Sequence, residues 1–68
     1  MKNTTAALKI EIGALYQTSG YRWIVVLVEY DPKEQIAKCC ILESPNDPSA
    51  VGSYGHWNIC DLDAYCGA

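Results

Sequence analysis

The sequence predicts an all-β protein: a small barrel of five antiparallel, strongly curled strands with one short helical turn near the C-terminus. Three observations support this prediction. The chain has 68 residues, which is enough for one small domain. Short apolar stretches alternate with turn-forming residues along most of its length. No stretch has the apolar spacing of a long amphipathic helix. A sheet of three or four strands with a short helix is the alternative fold.

The domain is expected to span residues 8–68, after a flexible N-terminal segment at residues 1–7. The first strand is predicted from Leu8, because Leu8, Ile10 and Ile12 alternate with polar or small residues. Residues 14–16 continue this strand. Residues 17–20 then form a hairpin loop or a longer turn.

Residues 21–30 are predicted to be the second strand, since Trp23 and residues 24–28 are mostly β-branched or aromatic. Both faces of this strand are apolar, which favours burial on both sides or a curved barrel wall. A turn follows at residues 31–35, where Pro32 occupies a typical turn position.

Residues 36–43 are predicted to be the third strand, with alternating faces. One face carries Ile36, Lys38, Cys40 and Leu42, and the other carries Ala37, Cys39 and Ile41. One of the two adjacent cysteines therefore points inward and the other points outward.

The C-terminal part is predicted to contain a long loop, a short strand and a helical turn. Residues 44–55 are rich in Pro, Gly and Ser and form the loop. Residues 56–60 form a fourth strand, with Trp57 and Ile59 on one face. Asp61 is then the expected N-cap of a helical turn at residues 62–65.

The segment His-Trp-Asn-Ile-Cys-Asp-Leu-Asp-Ala-Tyr at residues 56–65 resembles the end of small SH3-like barrels encoded by phages, plasmids and other mobile elements. In those barrels a strand with Trp or Tyr ends in an acidic helical turn. The resemblance implies a five-stranded SH3-like barrel. One such plasmid protein is the trimethoprim-resistant dihydrofolate reductase, a tetramer whose pore is built around Val-Gln-Ile-Tyr. Residues 57–60 lack that Gln and Tyr, so the reductase residues do not carry over.

The opening Ala-Leu-Tyr at residues 14–16 is similar to the start of signalling SH3 domains. In that family acidic residues follow, and then a paired-Trp strand and a Pro-x-x-Tyr element. Here Gln-Thr-Ser follows at residues 17–19, Trp23 stands alone and no Pro-x-x-Tyr occurs. A polyproline-binding function is therefore not carried over.

Charge and hydropathy exclude several classes of ligand. The formal net charge is -3, with 5 Lys plus Arg against 8 Asp plus Glu, which argues against direct nucleic-acid binding. The apolar run at residues 24–28 is far shorter than the ~20 residues of a membrane span, so no membrane association is expected. Lys9 and Glu11 interrupt the apolar core that a signal peptide would need. We therefore expect a cytoplasmic protein with reduced thiols.

Residue spacing gives little support to a metal site or a catalytic site. Cys39 or Cys40 could bind zinc together with His56, Cys60 and Cys66, but no Cys-x-x-Cys pair is present. The favoured interpretation is that inward cysteines fill the core, with no cofactor and no metal. A zinc-stapled module stays open as an alternative. No catalytic residue is predicted, because His56 and Cys60 would lie roughly 13 Å apart on a strand.

The aromatic residues indicate a binding function. The chain has 5 Tyr, 2 Trp and no Phe, and rings with a polar tip are common in protein interfaces. The rings nearest the turns are expected to be exposed and rimmed by carboxylates. The predicted binding residues are Tyr21, Tyr54, Trp57, Tyr65, Glu29, Asp61 and Asp63.

These residues predict a non-enzymatic module that binds a protein partner with a basic surface. The mobile-element resemblance implies an inhibitor or accessory protein, similar to the anti-CRISPR proteins. The alternative function is a subunit of an oligomeric small-barrel enzyme with a shared pore site. Homo-oligomers are compatible with both functions.

Overall fold

Five antiparallel strands form one sheet in the computed structural model, which describes residues 10–65. The strands are β1 (Leu15–Thr18), β2 (Ile24–Asp31), β3 (Ile36–Glu43), β4 (Tyr54–Asn58) and β5 (Leu62–Ala64). Short 3₁₀ turns occupy Pro48–Ala50 and Ile59–Asp61. The strand order is β4-β3-β2-β1-β5, which confirms an all-β fold with five antiparallel strands. The sheet is open, because its end strands β4 and β5 are not hydrogen-bonded to each other.

The β2–β3 hairpin is the longest pairing in the sheet and matches the predicted third strand. β3 covers the predicted residues Ile36–Glu43. The Asp31 carboxylate holds the connecting turn, accepting hydrogen bonds from the backbone N–H of Lys33 at 2.9 Å and of Glu34 at 3.4 Å. Gln35 closes the turn with a φ of 58°. This local side-chain to backbone bonding is typical of Asp in turns.

The core lies on one face of this hairpin and of its neighbours. Its buried members are Tyr16, Val25, Leu27, Ala37, Cys39, Ile41 and Leu62. Val25 lies opposite Ile41 and Leu27 lies opposite Cys39, so apolar pairs continue across β2 and β3. Cys39 is fully buried and Cys40 is partly exposed, which confirms that the adjacent cysteines point in opposite directions.

The predicted first strand is wrong in its position. Leu8 lies outside the described residues, whereas Ile10 and Ile12 are exposed, Ile12 to 62%. Gly13 adopts a φ of 90°, a conformation that glycine tolerates and that turns the chain before β1. The alternation upstream of this turn therefore faces solvent, and β1 begins at Leu15.

The β1–β2 connection lies later in the chain than the predicted residues 17–20, because β1 runs on to Thr18 and β2 begins at Ile24 instead of residue 21. Thr18 and Trp23 close the loop between them. The Thr18 N–H donates to the Trp23 carbonyl and the Trp23 N–H donates to the Thr18 hydroxyl, both at 2.9 Å. Arg22 has a φ of 61°, so a regular strand cannot pass through it.

The C-terminal elements differ from the prediction in position and type. β4 begins at Tyr54 instead of residue 56. The helical turn is Ile59–Asp61, so it ends at Asp61 instead of starting after it. Leu62–Ala64 is a strand that pairs with β1, with Leu62 buried opposite Thr18. The main-chain bonds to β1 and the burial of Leu62 outweigh the capping preference of Asp61. Residues 10–65 contain no helix of the length and apolarity needed to cross a membrane.

Candidate functional site

A row of polar side chains crosses the outer face of β2, β3 and β4. Glu29 lies opposite Lys38, and Lys38 lies opposite His56. The register of β2 against β3 shifts by one residue between Leu27 and Glu29. Without that bulge Val28 would face Lys38 and Glu29 would face inward-pointing Ala37. The bulge therefore places a carboxylate on the outer face, which is a common use of bulges near binding sites.

This row borders a surface cavity of about 550 Å³, which we name the β2–β3 cleft. The turn that follows β2 forms one of its walls. Its lining residues are Glu29, Tyr30, Asp31, Glu34, Ile36, Lys38 and His56. Three of these are carboxylates, so acidic groups dominate the cleft.

The carboxylates of Glu29 and Glu34 have no ion-pair or hydrogen-bond partner within residues 10–65. Asp31 differs, because its carboxylate accepts the backbone N–H groups of its own turn. Lys38 does not neutralise the cleft through an ion pair. Its ammonium lies over the ring of Tyr54, with Nζ 5.3 Å from the ring centroid. In the described part of the chain, none of the three carboxylates in the cleft has a paired cation, and Glu29 and Glu34 also lack a hydrogen-bond partner.

Tyr54 extends the same face beyond the cleft. It pairs with Cys40, two residues from the Lys38–His56 pair, so its ring is on the outer face of β4. The ring is 60% exposed. The ammonium of Lys38 lies over this ring, which shows that the ring can hold a positive group.

A second aromatic group lies at the opposite end of β2. The rings of Tyr21 and Trp23 stack, with centroids 5.7 Å apart and planes inclined by 23°. The indole N–H of Trp23 donates to the side-chain oxygen of Asn46 in the β3–β4 loop. Tyr21 itself is 71% exposed. Residues 24–28 of β2 separate this pair from the β2–β3 cleft.

Of the predicted binding residues, the structure brings Glu29 and Tyr54 to one face. Trp57 instead packs against the core from the inner face, and Tyr65 is half-buried, where exposure was expected.

The remaining predicted carboxylates are exposed but lie elsewhere. Asp63 pairs with Gln17 at the β5 end of the sheet. The Asp61 carbonyl accepts the Ser19 N–H at 2.9 Å, so this residue also lies beside β1. The predicted acidic rim is therefore two separate groups.

Four residues of the cleft were not among the predicted binding residues: Asp31, Glu34, Lys38 and His56. Lys38 follows the tight turn at residues 31–35, but its place opposite Glu29 depends on the bulge between Leu27 and Glu29. His56 could not be placed in the same way. Its register depends on where β4 begins, and the predicted start was two residues late.

The cysteines do not form a metal site within residues 10–65. No group of three or more His, Cys, Asp or Glu side chains in this part of the chain is arranged to hold a metal ion. Cys39, Cys40 and Cys60 are free thiols, whereas Cys66 lies outside the described residues. Burial raises the pKa of the Cys39 thiol to about 11, so this residue behaves as a small apolar core group.

Comparison with protein-family models, with curated proteins and with solved structures finds no match to this chain. Its function must therefore be inferred from its own residues. The feature with the most specific chemistry is the β2–β3 cleft with the adjacent ring of Tyr54.

Proposed function

We propose that this protein is a non-enzymatic binding module whose partner is a protein with a basic surface. The observation that carries the proposal is the pair of carboxylates, Glu29 and Glu34, that line the β2–β3 cleft without a cationic partner in residues 10–65. A lysine or arginine of the partner would form charge-assisted hydrogen bonds with them. The exposed face of Tyr54 offers a second contact for a cation.

The form of the cleft supports recognition of one long basic side chain. Ile36 contributes apolar surface among the carboxylates, which suits the hydrocarbon stem of lysine or arginine. A concave site lined by one sign of charge concentrates the field inside it. The net charge of -3 adds a weaker attraction of the whole molecule towards a basic partner.

We also propose that the open sheet belongs to a small SH3-like barrel. The strand order β4-β3-β2-β1-β5 and the 3₁₀ turn directly before β5 support this assignment. The bulge in β2 supports it as well, since bulges curve a sheet towards closure.

The biological role that we propose is a cytoplasmic inhibitor or accessory protein of a mobile element. Such a protein would cover a basic, nucleic-acid-binding surface of a host complex. The small size, the acidic cleft and the free thiols of Cys39, Cys40 and Cys60 support this role.

Titration with a basic peptide tests the proposed function. The probe is a deca-arginine peptide, with deca-glutamate as the negative control, and binding is followed in NMR spectra of the labelled protein. We expect chemical-shift changes centred on Glu29 and Glu34 and weaker binding at high salt. The double variant Glu29→Gln/Glu34→Gln should lose affinity roughly five- to thirtyfold, because each exposed charge pair contributes about 0.5–1 kcal/mol.

The matched control is Asp61→Asn/Asp63→Asn, which makes the same change in net charge at the β5 end. We expect it to lose less than about twofold in affinity. Equal losses in the two double variants would contradict the cleft as the binding site. They would show that the peptide responds to net charge alone.

A further inference from the structure

The open edge of β4 lies directly beside the β2–β3 cleft. β4 pairs with β3 on one side and with no strand of residues 10–65 on the other. The Ile41 N–H donates to the Ser53 carbonyl at 2.9 Å, at the start of this pairing. Since hydrogen-bonded pairs occur at every second position of an antiparallel ladder, the next ones are Cys39–Gly55 and Ala37–Trp57.

The intervening β4 residues therefore direct their main-chain groups away from β3. These residues are Tyr54, His56 and Asn58. The carbonyl of Asn58 serves the 3₁₀ turn Ile59–Asp61, of which Asn58 is the N-cap. The other main-chain groups of these three residues form no hydrogen bond with another described residue on the open side. Three donors and two acceptors can therefore pair with a further strand.

β4 lacks the features with which natural sheets block such pairing. Its sequence Tyr-Gly-His-Trp-Asn contains no proline and no lysine. Its register against β3 is continuous over all five residues, so no bulge twists the edge away. Within the part of the chain that the structure describes, the edge is therefore accessible to an extended chain.

We propose that an extended segment of the basic partner pairs with the open edge of β4 and inserts an arginine or lysine side chain into the β2–β3 cleft. This inference rests on the proposed function and specifies its binding mode, which is the addition of a strand to a sheet. The main-chain hydrogen bonds supply affinity without sequence preference. The carboxylates of the cleft select a basic side chain.

The spacing of the sheet is compatible with this mode. An added strand would lie three strand spacings from β2, or roughly 14 Å. The long side chains of an arginine on the added strand and of Glu29 on β2 can bridge this gap together. Lys38 and His56 lie between them on the outer face. The ammonium of Lys38 lies over the ring of Tyr54, and His56 is exposed at the wall of the cleft.

Charge complementarity argues for a basic segment and against a second copy of this chain. Another copy has the same net charge of -3, and its own carboxylates would approach those of Glu29 and Glu34. Like charges placed close together disfavour an interface. A basic segment gains attraction at the same positions.

Amide hydrogen exchange tests the inference on the unmodified protein. The probe is a seven-residue peptide of alternating threonine and arginine, which favours an extended chain with arginine on one face. At saturating peptide, exchange at the amides of Tyr54, His56 and Asn58 should slow by about tenfold or more, as expected for newly hydrogen-bonded groups. Gly55 and Trp57 provide the internal control, because their amides already pair with β3.

A pair of substitutions at Asn58 gives an independent test. Asn58 has a φ of -68°, which proline adopts without strain, and its N–H points to the open side. Asn58→Pro therefore removes a donor and places the ring in the path of an added strand. We expect about a tenfold loss of peptide affinity, whereas Asn58→Ala, which keeps the N–H, should change affinity less than about twofold.

The outcomes separate this inference from the proposed function. Peptide binding that depends on Glu29 and Glu34 but leaves exchange at Tyr54, His56 and Asn58 unchanged would overturn the edge pairing and leave the proposed function intact. Absence of peptide binding would overturn both. The same amides could instead be protected before peptide is added, in a protein that dimerises with increasing concentration. That result would show that a second copy of the chain pairs with the edge, and it would overturn the proposal that a basic partner does so.

Discussion

The indole ring of Trp57 lies over the α-carbon of Gly55 two residues earlier on β4. A Cβ atom at position 55 would lie 2.7 Å from Cη2 of that ring. Gly55 therefore permits the close approach by which Trp57 packs against the core. Because Gly55 has no side chain, the indole ring of Trp57 can occupy this place on β4.

Gly55→Ala should therefore destabilise the protein. The added methyl must displace the indole from its place against the core, at a cost of about 1–2 kcal/mol, as is typical of overpacking. The midpoint of urea unfolding, followed by tryptophan fluorescence, measures this cost. In a Trp57→Leu background the same substitution should cost less than about 0.5 kcal/mol, because the clashing ring is gone. An equal cost in both backgrounds would contradict this account.

Thr18→Val should weaken the closure of the β1–β2 loop. The buried Thr18 hydroxyl accepts the Trp23 N–H at 2.9 Å, and valine keeps the shape of the side chain without the acceptor. We expect a loss of about 1 kcal/mol in unfolding free energy. Amide exchange at Trp23 should become faster, while exchange at Val25 in the sheet should follow only the change in global stability. An unchanged exchange rate at the Trp23 amide would show that this hydrogen bond does not hold the β1–β2 loop closed.

Stability should fall at alkaline pH because of Cys39. Burial raises the pKa of this thiol to about 11 from its ordinary value of 9.0. Between these values the folded state retains the proton that the unfolded state releases, so the free energy of unfolding decreases as pH rises. The stabilisation that comes from the protonated Cys39 thiol is fully present below about pH 9 and is lost progressively as the pH rises to about 11. Urea unfolding at several pH values measures the slope.

The control for the alkaline slope is Cys39→Ala, which removes the titrating group. Its absolute stability should be lower because of the cavity left in the core. The difference in unfolding free energy between the two proteins should narrow as pH rises from about 9 to about 11. A constant difference would contradict the assignment to Cys39.

In addition, an alkylating reagent should modify exposed Cys60 much faster than buried Cys39 in the folded protein.

Lys38 and Tyr54 should be energetically coupled. The ammonium lies 5.3 Å from the ring centroid, a geometry that contributes about 0.5–1 kcal/mol at exposed sites. A double-mutant cycle with Lys38→Met and Tyr54→Leu measures this coupling as the non-additive part of the change in unfolding free energy. Additive effects would show that the contact contributes nothing to stability.

Lys38→Met should also strengthen binding of the arginine peptide. The substitution removes a positive charge from the β2–β3 cleft and frees the face of the Tyr54 ring. We expect an increase in affinity of about two- to fivefold at low salt. Weaker binding would indicate that Lys38 contacts the peptide favourably, which is incompatible with a cleft selective for cations.

The strands that were predicted well are those specified by local patterns. β3 follows a turn with Pro32, so its bounds and the opposite directions of its two adjacent cysteines follow from the residues themselves. Only the packing of the sheet decided that Cys39 is the inward one. β5 has three residues and depends on its pairing with β1, more than forty positions earlier in the chain. No local pattern distinguishes such a strand from a helical turn.

The candidate site was predicted in part for the same reason. Glu29 and Tyr54 were assigned because acidic and aromatic residues near turns are often exposed. Glu34 and His56 join them only through the turn after β2 and through the register of β4. The assignment of Trp57 to the surface missed that the glycine at position 55 leaves room for its ring.

The sequence by itself determined the all-β composition, the third strand and the acidic balance of this protein, since these depend on alternation, turn residues and charge counts. The tertiary structure decided which polar groups meet. The bulge at Val28 turns Glu29 outward to face Lys38, and the pairing of β3 with β4 adds His56 and leaves one main-chain edge open. A one-residue shift in register exchanges the two faces of a strand, and hydrogen bonds between distant segments set that register.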